Sequence, residues 1–220
     1  MGDSEFLANP LPGSTIDEIR ARELYKYFRP PREDGRSPDP TLTAHAQLVA
    51  WRLDAERSMI TLIDEEIQYF VAESTKTLDL DNAHEHDHPD DAVWAGCARV
   101  PKSGRLCEHT IAASPPESGG PACFEILDLS KDVRFDSLDF VSGPPHFKHY
   151  AGVPLRTRNG VNIGSIFVIN RRIRPALTAK EWRILDVGTQ AAVQCAKCLS
   201  LRWLYCRHHT SGISHVLPLS

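Results

Sequence analysis

The chain has 220 residues, 25 lysines and arginines against 29 carboxylates, a net charge of -4 and 41% hydrophobic residues, so nothing in its charge points to nucleic acid or an anionic membrane as partner. No run reaches the roughly 18 apolar residues of a membrane helix. The acidic start Met1-Gly2-Asp3-Ser4-Glu5 does not read as a secretory signal, and the six cysteines are read as thiols of a reducing cytosol.

Prolines at 10, 12, 30, 31, 38 and 40 mark residues 1–40 as an N-terminal extension and linker. Within it Ser14 or Thr15 can cap a helix carrying Ile16, Ile19, Leu24 and Tyr27, ended by Pro30-Pro31. Residues 41–205 are expected to form one domain and residues 206–220 a tail. Leu42, Ala46, Val49 and Leu53 step by four, three and four, which predicts a helix. The period then changes. Ser58–Ile63, the acidic turn Asp64-Glu65-Glu66 and Ile67–Ala72 read as a β-hairpin. The first strand is apolar on both faces, as a covered central strand must be.

Asp79–Asp91, with six carboxylates and three histidines, reads as a solvated loop. A helical turn is expected at Leu106–Ala112, and Pro115–Pro121 breaks the chain. Cys123–Leu129 is the next predicted strand, followed by a short helix through Arg134 and Leu138 capped by Ser130 or Asp132. Tyr150–Arg156 and Val161–Ile169 form a second hairpin about Asn159-Gly160. Thr178 and Glu181 make a capping box for a helix running to about Tyr205. That helix carries two stripes: Trp182, Leu185, Thr189, Ala192, Ala196, Leu199 and Trp203 at heptad spacing, and Ile184, Val187, Ala191, Cys195 and Cys198. Either one stripe packs on the sheet while the other meets a partner helix, or both form one broad core face.

This order of elements resembles a GAF domain. The words that carry the resemblance are Ala55–Asp64, Cys107-Glu108-His109-Thr110-Ile111, Asp128–Phe135, Phe147–Arg156 and Gly160–Ile169. With the lead-in Ala21–Pro30, they are similar to GAF domains at the N-terminal end of fungal hybrid sensor histidine kinases. The resemblance spans about Asp17 to Leu199. It implies an α+β fold: a five- or six-stranded antiparallel sheet, terminal helices on one face, and an irregular segment closing a ligand pocket on the other. It also implies cytoplasmic signalling through a phosphorelay, with a small molecule bound and the terminal helix passing on the change of state. Nothing in the sequence resembles a phosphoacceptor helix or a Gly-rich ATP lid, so no kinase activity is expected of these residues themselves.

Trp94, Phe135, Phe140, Phe147 and Tyr150 are the candidate aromatic walls for a flat ligand, or else plain core. Arg105, Cys107 and His109 fall where the resemblance puts the pocket wall. A thiol beside Arg105 and a helix N-terminus can be acidified, which suits a redox sensor or a reductase resembling the GAF-fold methionine-sulfoxide reductases, with Cys97 or Cys123 as the second thiol; otherwise Cys107 simply packs inward. His84, His86 and His88 alternate as zinc ligands can, but lie in a loop with no visible support. Cys195 and Cys198, followed by Cys206, His208 and His209, fall on a helix, where thiols pack as small hydrophobes. No cofactor follows from the sequence. Three readings stand: a non-enzymatic small-molecule sensor, a thiol enzyme or thiol sensor, and a purely structural homodimer through the terminal helices.

Overall fold

Six antiparallel strands form one sheet in the order β3-β2-β1-β6-β5-β4. The strands are β1 (Arg57–Ile63), β2 (Ile67–Thr75), β3 (Arg99–Pro101), β4 (Phe124–Ile126), β5 (His149–Arg156) and β6 (Asn162–Asn170). The helices are α1 (Ile16–Leu24), α2 (Pro40–Arg52), α3 (Leu106–Ala112), α4 (Asp139–Ser142) and α5 (Ala179–Thr210). This computed structural model describes residues 15–28, 39–82, 84–117 and 119–210, with side chains as far as Gln194. Residues 1–14 and 29–38 of the predicted extension and linker, the tail from 211, and the side chains of Cys195, Ala196, Cys198, Leu199, Trp203, Cys206, His208 and His209 lie outside the described residues.

The two hairpins are the frame. In the first, Asp64 makes the turn: its Oδ1 accepts from the Glu66 and Ile67 amides at 2.9 and 2.7 Å, and its Oδ2 from the Tyr69 hydroxyl at 2.8 Å. In the second, Gly160 takes φ +78°, which the Asn-Gly turn needs. The hairpins join along β1 and β6, and there the backbones come unusually close. A Cβ on Gly164 would sit 2.0 Å from the Thr61 carbonyl oxygen, so only glycine fits. The predicted strands all form, lengthened or shortened at their ends, and β1 is buried along its whole length.

One face carries the helices. Leu42, Ala46, Val49 and Leu53 of α2, Leu185 and Ala192 of α5, and Leu24 of α1 pack on Ile60, Leu62, Ala151, Val153, Leu155, Ile166 and Val168. α1 thus joins the core although it precedes the expected boundary at residue 40. Thr15 and Glu18 cap it reciprocally, and Thr178 with Glu181 does the same for α5. Leu185, Thr189 and Ala192 are buried while Val187 is 64% exposed, so within the described side chains the heptad stripe faces the sheet. A charge at Leu185 therefore strikes the core and cannot isolate dimerisation.

One local expectation is corrected, one short strand is added, and the acidic loop, exposed as expected along most of its length, proves to be anchored. β3 was not foreseen: its three residues are too short to show a period. The short helix through Arg134 and Leu138 does not form. A 3-10 turn at Leu129–Lys131, capped by Asp128, precedes it, and the only full helical turn comes later, as α4. Asp132 caps no helix because its carboxylate is engaged by the Arg134 amide and guanidinium, which closes a local turn instead. The acidic loop is also tied down: Thr77 Oγ1 donates to Asp91, the Asp87 amide to Thr77, and Arg171 pairs with Asp90 at 2.7 Å.

Candidate functional site

The face opposite the helices is covered by the 92–98 segment, α3, and the chain from Leu127 to Lys148. Alternation along the strands sends Met59, Thr61 and Ile63, Gln68 and Phe70, Tyr150, and Ser165, Phe167 and Ile169 toward this cover. Glu73 fixes one side of it. Its buried carboxylate pairs with Arg57 and accepts from the amides of Trp94, Ala95 and Gly96 at 2.7 Å each, which holds the segment carrying Trp94 against the sheet edge.

The aromatic residues meet in two groups. Trp94 stands edge-on to Phe140 and Phe147, with ring centroids at 5.5 and 5.2 Å. His109 stacks on Phe124 at 5.4 Å and stands edge-on to Phe135 at 5.1 Å; Phe124 lies 6.0 Å from Tyr150, which in turn lies 5.1 Å from Phe167. The Arg134 guanidinium caps this second group, 4.9 Å from the Phe135 centroid and 5.7 Å from that of Phe124. Tyr150 can fold back over its own strand because position 152 is glycine; a Cβ there would meet its hydroxyl at 2.7 Å.

Beneath the rings lies a group of polar side chains that the sequence reading passed over. Thr61 Oγ1 and Ser165 Oγ share a 2.9 Å hydrogen bond across β1 and β6. Thr110 Oγ1 and the Tyr150 hydroxyl share one of 2.6 Å, and that hydroxyl also donates to Cys107 Sγ at 3.7 Å. Ser165, Thr61 and the Gln68 amide also lie within hydrogen-bonding reach of the Cys107 sulfur. Gln68 is 2% exposed, yet its Oε1 has no partner. Leaving a buried acceptor unpaired costs about 1–3 kcal/mol. The signal for this group was present: single polar residues, Thr61 and Ser165, inside runs otherwise wholly apolar. Only the register shows that they face each other.

The structure thus brings Cys107, Phe135, Phe147 and Tyr150 together as buried residues, with Phe140 and His109 half-buried beside them and Trp94 40% exposed at the rim. It does not bring Arg105 in. The Arg105 Nε donates to the Pro101 carbonyl at the surface, and Arg105 serves as the N-terminal flank of α3. The expected acidification of Cys107 is therefore corrected. Burial pushes its thiol up, and the hydrogen bonds from Ser165, Tyr150, Thr61 and Gln68 only partly offset this. Those partners are hydroxyls and an amide, none able to take the thiol proton at neutral pH. Burial likewise holds the Tyr150 phenol well above its ordinary range. Among the described residues no group of three or more His, Cys, Asp or Glu is placed to hold a metal ion. Nor is any described helix long and apolar enough to cross a membrane.

A central six-stranded antiparallel sheet, with helices on one face and an irregular cover on the other, is the fold of GAF domains. The GAF domain of PixJ from Thermosynechococcus elongatus, in its blue-light-absorbing form, superposes with a TM-score of 0.50 at 12% identity, over 79% of this chain and 93% of that one. A GAF domain region from Geobacter sulfurreducens gives 0.50 at 15% identity, over 82% and 99%. By sequence, 88 residues are 33% identical to part of a cyclic di-GMP phosphodiesterase of Pseudomonas aeruginosa, covering 40% of this chain. The chain spans 14% of the length of that relative. No protein-family model matches the sequence.

Proposed function

We propose that this chain is a non-enzymatic sensory module. A small molecule binds between the sheet and its aromatic cover, and α5 passes the change of state to an effector. The observation that carries this reading is the cover itself. It consists of turns and the two short helices α3 and α4, pinned at one side by Glu73 and elsewhere packed by its rings on an uncharged polar floor. Such a lid can exchange ring–ring contacts for ring–ligand contacts. The length of α5 supports transmission: its 32 residues extend about 48 Å, against roughly 30 Å for the nine-residue β6. The setting we favour is cytoplasmic, in a phosphorelay of the fungal sensor histidine kinase type, with a homodimer formed through the terminal helices. The partial likeness to a cyclic di-GMP phosphodiesterase supports a signalling context, though it does not point to a phosphorelay.

Any switch is limited by the ligand's differential affinity for the two states. Thermal melting of the full chain against a broad metabolite and nucleotide library tests the reading, with light scattering before and after addition of each hit. A raised melting temperature with at least one compound is expected. A well-folded sample that responds to none overturns it.

A further inference from the structure

We infer that the uncharged ring of Thr61, Gln68, Cys107, Thr110, Tyr150 and Ser165 is the recognition floor of this site, and that it selects small, neutral, planar molecules bearing an N–H donor. The inference rests on the sensory reading above and adds the chemical class of the ligand.

Five of these side chains satisfy one another in pairs or around the Cys107 sulfur. One atom is left over, the Gln68 Oε1, in a residue 2% exposed. A buried amide with one end bonded and the other orphaned is a fixed acceptor with no donor to meet. No donor reaches it among the described residues, and the apolar side chains of the surrounding cluster, Met59, Ile63 and Leu106 among them, have none to give. A ligand N–H is the complementary group.

The charge pattern narrows the class further. No side chain of the ring carries a charge, and the buried cation Arg57 is paired with Glu73. Arg134 lies outside the rings, bonded to Asp132 at 2.6 Å. A phosphate or carboxylate brought onto this floor would be desolvated without a cation, which is strongly unfavourable. The Phe124, Phe135, Phe167 and Tyr150 rings offer faces and edges that suit a flat heterocycle.

Matched pairs of probes test this: nicotinamide with nicotinate, uracil with orotate, and adenine with adenosine monophosphate. They are added to the full chain and to Gln68→Met. At least one neutral member is expected to raise the melting temperature by about 3–6 °C at tenfold excess over its Kd, with no response to its anionic partner. Gln68→Met should abolish that response while melting no lower than the parent, because it removes the orphaned acceptor. Thr61→Val, close in shape, should weaken the response and still fold. Preference for the anions, a response that survives Gln68→Met, silence from all six probes, or a Gln68→Met protein less stable than the parent would each overturn the inference. If the broader library still yields a hit in any of those cases, the sensory reading stands and only the ligand class falls.

Discussion

The two faces of the sheet are built from different materials. Under the helices the core is aliphatic: alanines, valines, leucines and isoleucines that interdigitate and leave a gap of about 10 Å³ among Leu42, Ile60, Leu62, Leu155 and Ile163. That is barely the room of one water, and its walls offer no partner for one. Under the cover the core is aromatic, with a polar floor that includes the unpaired Gln68 Oε1; on the helix face the buried Ser58 Oγ is unpaired too. The first face buries almost only aliphatic side chains; the second also buries hydroxyls, an amide and a thiol. The contrast teaches that a single sheet can carry an aliphatic core on one side and an aromatic, partly polar one on the other.

The most severe test of that division is Glu73→Ala. It strands the buried Arg57 and frees the amides of residues 94–96, so a loss of about 3–5 kcal/mol is expected by denaturant unfolding. Hydrogen exchange should rise first in the 92–98 segment. Next come paired truncations, Leu53→Ala under the helices and Phe135→Ala under the cover, each at a site 1% exposed. Both should lose about 2–5 kcal/mol. Only Phe135→Ala should change the response to a ligand; equal effects on that response would dissolve the distinction between the faces.

A smaller effect is expected from acid. Desolvation alone would raise the Asp17 carboxyl, but hydrogen bonds and charge from Lys102 and Arg20 outweigh it and hold it below its ordinary value. A carboxyl depressed in the folded state adds stability that is fully present above its unfolded pKa, about 4, and is lost as pH falls through the folded value. Stability measured from pH 6 to pH 2 should therefore fall below about pH 4, and Asp17→Asn should make that fall shallower. Lys102 lies just ahead of α3, so the same ion pair ties α1 to the cover. The smallest effect on stability is expected of Val187→Asp. At 64% exposure it should stay within about 0.5 kcal/mol of the parent while shifting any dimer toward monomer by light scattering. An unchanged dimer would remove this part of α5 from the interface.

Much of the frame was legible in the sequence because it is locally encoded. Helix caps at Thr15 and Thr178, the Asn-Gly turn, and β-branched runs such as Ser58–Ile63 act over a few residues, and their physics does not depend on the rest of the chain. The cover was not legible in this way. Residues 127–148 carry no sustained period, and Asp132 offered a helix cap that a local Arg134 contact claimed instead. Proximity in sequence also misled at Arg105, two positions from Cys107 yet bonded at the surface, because the first turn of α3 sends successive side chains in different directions.

By itself, then, the sequence determined the two hairpins, β4 and the helices α1, α2, α3 and α5, since periodicity and capping are properties of neighbours along the chain, and its resemblance to GAF domains supplied their order. Tertiary structure alone decided that Thr61, Gln68, Cys107, Tyr150 and Ser165, drawn from four strands and a helix, share one buried spot. Register and face are set by pairings between residues more than 100 positions apart, as in the Thr61–Ser165 hydrogen bond, and no local pattern encodes them.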